Sequence, residues 1–566
     1  MPNNFTMRLL MILFLAGGLC LSFTLPVAAQ IERLETESGV DYPVLGTDLT
    51  DMPTAPQLSP EEREALYLKL LELREQGASE ANDNLYSPEG LPQSRVPEIE
   101  IADAESIAED LAEFPGNPAT FRVGRNMRNT RANSSLGSTL AEPAMINNGK
   151  LAYAAGNFNH AEFSFDRGAT WANRPLPGGP SDAPNLCCDH EIVQDNASRV
   201  VIHSALYINS AGTDGAVALF VRNQINSSAI KCTYWIRPAS GSSVPDYPHL
   251  GLTKRYLYLT TNNIGPTRFA QMRRWAIEDI ANCRIAPFDR FERPWTTVAV
   301  GPTGNQRVWV PAEGTNNLER MYWGQLDNTT TFRTYWWPES GTSVFTTTRS
   351  VATSNFSNPD CRGGVGNYDF IERGTSWSIA GFRLRSVVAA AANGGTGVFA
   401  AYWHSAPISG RPQAYIRAAV FDLASQNLIA QPDIWSSGMC IGYPAVTANS
   451  RGDIGFSLAA GGRAGGGGTA VQGYVGVDDE FNAGVGWVGG IIGVAGGTHN
   501  RSDGRFGDYF TIRPYEPCEK WFAATSYAWI APVTSASAVN SRIVYFGRNS
   551  SYRCYNNYRY RQPYFR

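Results

Sequence analysis

Seven times along this chain a short apolar, aromatic-rich run returns between turns made of Gly, Asn and Asp. The runs are LAYAAGN (151–157), VVIHSALY (200–207), YLYLTTNN (256–263), RMYWGQL (320–326), VFAAYWHS (398–405), DIGFSLAAG (453–461) and WFAATSYAW (521–529). Each follows a unit that opens near the residues Glu142-Pro143-Ala144, Asp189-His190-Glu191, Asp246-Tyr247-Pro248, Arg307-Val308-Trp309, Ser376-Trp377-Ser378, Tyr443-Pro444-Ala445 or Gly507-Asp508-Tyr509. Successive units start about 46 to 69 residues apart, which suits blades of four strands with a repeat of roughly 40–50 residues. Apolar strands meeting at a common axis explain the runs, and ring closure protects most sheet edges. The pattern predicts an all-β chain with a seven-bladed β-propeller, or a six-bladed one if a unit is an insertion. A β-sandwich accounts less well for so regular a return.

The first unit contains Ser164-Phe165-Asp166-Arg167-Gly168-Ala169-Thr170-Trp171, which reads S-x-D-x-G-x-T-W. Gly168 can take positive φ in a turn, Ser164 and Asp166 can hydrogen-bond its backbone, and Trp171 can pack beneath it. This string resembles the Asp-box of the sialidase-like, or BNR-repeat, propellers, and SRGDIGFS (450–457) and RFGDYFTIR (505–513) are similar to other turns and strand starts of secreted members. The resemblance covers roughly 117–548. It implies that Ser164, Asp166, Gly168 and Trp171 are structural and lie away from the chemistry.

The flanks differ from the body. Residues 1–29 read as a secretory signal, with Arg8, an apolar stretch from Leu9 to Leu25, and the small-residue site Val27-Ala28-Ala29. This places the protein outside the cell, in a periplasm or at the cell surface, with no membrane span after signal removal. Residues 30–116 form an acidic extension with 21 acidic residues against five basic ones, whereas 117–566 hold 41 basic against 30 acidic. Such asymmetry suggests intramolecular docking, an anionic ligand or both. Within the extension, Ser59-Pro60-Glu61-Glu62 opens a helix and a second short helix is expected near Ala104–Phe114; the rest is extended or loop. Residues 549–566 are a Tyr/Arg-rich tail. Eight cysteines remain beyond Cys20, as suits disulfides in an exported chain. Cys232–Cys283 and Cys518–Cys554 are the expected pairs, while Cys187 and Cys188 can bridge each other or separate partners.

Propeller ligands bind where inner strands and their entry loops converge. The polar strand starts supply the candidates: Asp189, His190, His249, Asp508 and Tyr509 for catalysis, and Arg122, Glu142, Asp246, Arg307 and Arg505 for substrate binding, with Glu313 also at a strand start. Carboxylates, His, Arg and Tyr brought together offer acid/base groups and anion binders. The sialidase resemblance implies three arginines clamping a carboxylate, an Asp acid/base and a Tyr activated by a Glu. In this chain Phe121-Arg122-Val123-Gly124 matches the first-arginine motif at Phe and Arg alone, and Arg505 or Arg513 can supply another arginine. Lyase chemistry would use His190, His249, Arg307 and Tyr509. The expected partner is an anionic polysaccharide or glycoconjugate, with no nucleic acid, no cofactor, no metal and a monomeric state. The alternative is a non-enzymatic propeller that binds glycan or protein. GGRAGGGG (461–468) lacks the Lys-Ser/Thr ending of a phosphate loop and reads as a flexible loop.

Overall fold

A computed structural model describes residues 31–45, 121–128 and, with interruptions, 142–551, together with Glu62, Ala65, Leu66 and Lys69. Seven antiparallel sheets of four or five strands follow one another along the chain as a seven-bladed propeller, with one further two-stranded ribbon, Arg362–Gly363 with Tyr368–Asp369. Blade one spans Ala144–Arg174, blade two Asn185–Ile236 and blade three Val244–Pro294. Blade four carries the strands Arg320–Asn328, Thr331–Pro338 and Val344–Ser350. Its innermost place is taken by Trp309–Ala312, tied on by the Ala312 N–H donating to the Tyr322 carbonyl at 2.9 Å. Blade five spans Leu384–Ile434 and blade six Cys440–Ala495. Blade seven is closed by a distant segment. Its strands Ile512–Pro514, Phe522–Ser526 and Arg542–Arg548 receive Phe121–Arg128 as outermost partner. All seven apolar runs of the sequence lie on the second strands of these blades.

Aromatic side chains make the seams between blades. Trp275, Trp309, Trp323, Trp337, Trp403, Trp521 and Trp529 are fully buried. Phe332 of blade four stacks on Trp403 of blade five with centroids 5.7 Å apart, and Phe291 of blade three stacks on Trp309 at 5.3 Å. Each such pair adds about 0.5–1.5 kcal/mol beyond its buried area, so cohesion is spread around the ring.

The extension supplies an outer strap. Glu32–Leu34 pairs with the outer strand of blade four, Glu37–Asp41 with that of blade three and Pro43–Leu45 with that of blade two. Acidic strap residues meet arginines of blade three. Asp41 takes two hydrogen bonds from Arg273 Nη1 at 3.0 and 3.1 Å and one from Trp275 Nε1 at 2.8 Å, and Glu37 accepts from Arg290. Gly39 lies over the Phe288 ring, where any Cβ would come within 2.4 Å of a ring carbon.

Three disulfides are complete among the described residues: Cys187–Cys188, Cys232–Cys283 and Cys361–Cys440. The adjacent cysteines thus bridge each other. Cys518 is also disulfide-bonded, while Cys554, its expected partner, lies outside the described residues. Among those residues no helix is long and apolar enough to cross a membrane. The signal, the second leader helix and most of the tail fall outside them.

Candidate functional site

The inner strands share one irregularity that decides what reaches the axis. In blades two, three and six the ladder to the second strand slips at Asp189–His190, Tyr247–Pro248 and Tyr443–Pro444. Asp189, Tyr247 and Tyr443 stand at φ of 56°, 55° and 53°, and Glu142, just ahead of the blade one strand, stands at 30°. Positive φ is unfavourable for such residues and persists only where surroundings hold it. Here the hold is a chain of hydrogen bonds between blades. The Tyr247 N–H donates to Asp189 Oδ2 at 3.1 Å, the Asp189 N–H to Asn157 Oδ1 at 2.9 Å, and Asn157 Nδ2 to Glu142. The Tyr443 N–H donates to His404 Nε2 at 2.6 Å. In blade seven the positive-φ position is held by Gly507, at φ 127°, which glycine takes without strain and where an added Cβ would stand 2.8 Å from Glu142 Cγ.

A bulge re-aims the residue that follows it. The residues just past the slips in blades two and three are Glu191 and His249, and they meet: His249 Nδ1 lies 2.8 Å from Glu191 Oε2. Tyr509 and Arg513 come from blade seven, which neighbours neither blade three nor blade four, and both cross the axis. The Tyr509 hydroxyl donates to the Pro248 carbonyl at 3.2 Å, with its ring 4.8 Å from His249 and 5.0 Å from Tyr247. Arg513 donates from Nη2 to Glu191 at 2.8 Å and from Nη1 to Glu313 of blade four at 2.6 Å. The Glu191, His249, Glu313 and Arg513 side chains keep 10%, 8%, 19% and 11% of their surface accessible, so this core of charge is nearly dry.

Electrostatics separates the two carboxylates. Burial raises Glu191, but the His249 hydrogen bond and the His249 and Arg513 charges outweigh it and hold the carboxyl below its usual range. Burial dominates at Glu313, helped by the Glu191 charge, and raises that carboxyl although Arg513 opposes it. Burial, then the Asp189, Tyr247, Glu191 and Glu142 charges, push the Tyr509 hydroxyl well above its ordinary value, so it remains a donor.

The predicted residues thus divide. Asp189, Glu142, His249 and Tyr509 gather near the axis. Asp246 is buried one residue ahead of its bulge, opposite Asn262. His190 turns into the seam with blade one, its Nδ1 2.8 Å from His203 Nε2, while His203 Nδ1 lies 2.6 Å from the Tyr153 hydroxyl. Arg122 stands on the outermost strand of blade seven and donates to Asn549 Oδ1 at 3.3 Å, so it does not join the axis. Arg307, Arg505 and Asp508 lie outside the described residues. Glu191 was not singled out from the sequence. Alternation alone puts residues 189 and 191 on one face; proline falls within the ladder breaks of blades three and six, at Pro248 and Pro444, but blade two has His190 in that place and so lacks that signal. The Ser164–Trp171 turn sits between the third and fourth strands of blade one. Gly168 N–H donates to Ser164 Oγ at 2.7 Å, Thr170 N–H to Asp166 Oδ1 at 2.8 Å, and Trp171 Nε1 to the Gly168 carbonyl at 3.0 Å.

No family model and no curated protein matches this sequence. Solved structures with similar folds include the NanB sialidase from Streptococcus pneumoniae, 11% identical over 77% of this chain and 71% of that one, with a TM-score of 0.33. They also include an α-L-arabinanase of Cellvibrio cellulosa in complex with arabinohexaose, 10% identical over 61% and 97%, TM-score 0.27. The SapL1 lectin in complex with α-methyl fucoside is 12% identical over 64% and 97%, TM-score 0.31. Likeness at this level carries no inference about what the chain does.

Proposed function

We propose that this chain is an exported recognition propeller, of the Asp-box kind its turn resembles, that binds an anionic carbohydrate without turning it over. The observation that carries the choice is the state of Arg513. Its guanidinium is taken up by Glu191 and Glu313, so this axial arginine is neutralised rather than presented to a substrate carboxylate. A catalytic clamp needs donors aimed at charge that develops on the substrate. The excess of basic over acidic residues in 117–566 supports an anionic ligand. The complete disulfides suit an oxidising compartment.

One observation favours hydrolysis or elimination instead. The two axial carboxylates are driven in opposite directions, Glu191 down and Glu313 up, and such divergence is how acid and base roles are assigned in active sites. Sialylated, uronic and sulfated glycans separate the two readings when binding and product release are measured in parallel. Saturable binding without reducing-end or unsaturated product is the expected result. Turnover that disappears in Tyr509→Phe and in Glu313→Gln would establish the enzymatic reading, and lack of binding to all three classes would remove the carbohydrate.

A further inference from the structure

The adjacent cysteines stand directly ahead of the axial residues of blade two. Their strand is out of register twice in succession. Cys188 pairs with Leu206 and Leu186 with Tyr207, which leaves Cys187 without a ladder partner; Glu191 pairs with Ser204, which leaves Asp189 and His190 against Ala205 alone. The disulfide joins Cα atoms 3.7 Å apart between these two irregularities. By contrast, the Cys232–Cys283 and Cys361–Cys440 bonds tie residues 51 and 79 positions apart, and only Cys232 of these lies beside a ladder irregularity, the one that skips Lys231. Both sulfur-bearing residues are fully buried, in an apolar cluster with Leu206, Ile208, Val244 and Leu66 of the acidic extension.

We propose that Cys187–Cys188 is a thiol-responsive register lock, and that its reduction by an external dithiol releases the contacts that Asp189 and Glu191 make with blade three. Closing adjacent residues into one small ring restricts the backbone of both, and the double irregularity is held while the ring is intact. Opening it restores backbone freedom immediately before Asp189, whose Oδ2 accepts the Tyr247 N–H, and Glu191, whose Oε2 accepts the Leu250 N–H at 3.4 Å. The step is thiol–disulfide exchange. A thiolate of the dithiol attacks one sulfur and breaks the S–S bond, and its second thiol resolves the mixed disulfide. The protein gains two electrons and two protons as two thiols, and the reductant leaves as a cyclic disulfide. Leu66 is the cluster member contributed by the extension, so its departure is the route by which a reductant reaches the sulfurs.

The test treats the folded, full-length chain with dithiothreitol, follows each disulfide by alkylation and peptide mass, and reads amide hydrogen exchange. Loss of Cys187–Cys188 is expected to speed exchange at Tyr247 and Leu250 by about tenfold or more, as local opening does, with strands 398–405 and 454–461 unchanged. Cys187→Ala/Cys188→Ala should show the same change without reductant, and Leu66→Ala should speed reduction of this bond severalfold while leaving Cys232–Cys283 alone. Unchanged exchange at Tyr247 and Leu250 once the bond is open would overturn the proposal. So would faster exchange in every blade at once, which would make the bond a general staple, and so would a bond that resists dithiothreitol even in Leu66→Ala.

Discussion

At the scale of single residues, the histidines show how burial fixes a proton. Tyr153, His203 and His190 form a line of hydrogen bonds in the seam between blades one and two. Burial raises the Tyr153 hydroxyl, so it stays protonated and can donate to His203 Nδ1; with that tautomer His203 donates from Nε2 to His190 Nδ1. Burial lowers His190 to about 3. His203 is also held well below its ordinary value, by burial first and then by the charges of His190 and Arg222. Both are therefore neutral when folded and protonate near pH 6.5 when unfolded. Their contribution to stability is complete above that pH and is lost as pH falls from about 6.5 toward 3, by about 1.4 kcal/mol per pH unit for each proton. Glu313, Asp478 and Glu516 oppose this, since burial raises all three and folding then favours their protonated forms. The comparison that isolates the histidines is wild type against His190→Gln/His203→Gln. The stability advantage of wild type, from urea unfolding, should shrink steadily between pH 6.5 and pH 4.5. A constant gap would mean that the pair is already charged in the fold. Apart from Pro248 ahead of it, nothing in the sequence distinguishes His249 from His190. The two differ because one lies within a two-residue bulge and the other just past one.

At the scale of elements, the strands were legible and their irregularities were not. Alternating apolar runs and turn residues mark all seven second strands because those strands are buried and regular. The extension was legible as extended and as acidic, but its addition to three outer edges was not, because strand pairing is written in the backbone. The glycine-rich run shows the same limit. It reads as a loop, yet the Gly467 N–H donates to Asn367 Oδ1 at 2.8 Å and the Ala464 N–H to Gln413 Oε1 at 2.7 Å, so its glycines allow close approach to the segment carrying the two-stranded ribbon. The strap carries a prediction of its own. Gly39→Val puts a branched side chain against Phe288 and should detach Glu37–Asp41 from blade three, leaving buried Arg273 without Asp41. Truncating one partner of a buried ion pair costs about 3–5 kcal/mol, and the strap can relieve part of this by fraying. We expect a clear fall in thermal midpoint, with hydrogen exchange rising first in strand Ala286–Pro294. Asp41→Asn should produce a smaller loss confined to the same strand. Wild-type stability in Gly39→Val would mean that the strap contributes no cohesion.

At the scale of the whole molecule, the organising feature is the division between an acidic extension and a basic ring. The blade rhythm was legible in the sequence, and seven blades are what the structure has, but the axial site draws on four blades and could not be assembled from spacing. Charge could be read without structure. Where the strap is described, acidic side chains meet ring arginines, with Asp41 on Arg273 and Glu37 on Arg290. If the rest of the extension acts in the same sense, it lowers the positive potential that an anionic polymer meets. Because the strap also holds blade edges, the test leaves residues 31–45 intact and neutralises only charge, with Glu61, Glu62, Glu64, Glu72 and Glu75 all changed to Gln. Affinity for heparin, used as a generic anionic polymer, should rise severalfold at low ionic strength, where the Debye length is roughly 30 Å, and the gain should vanish near 1 M salt, where it is about 3 Å. A gain that persists at high salt would point to an altered contact rather than to charge. Unchanged affinity at every ionic strength would show that these carboxylates are solvated and mask nothing, leaving the strap alone as the part of the extension that the ring depends on.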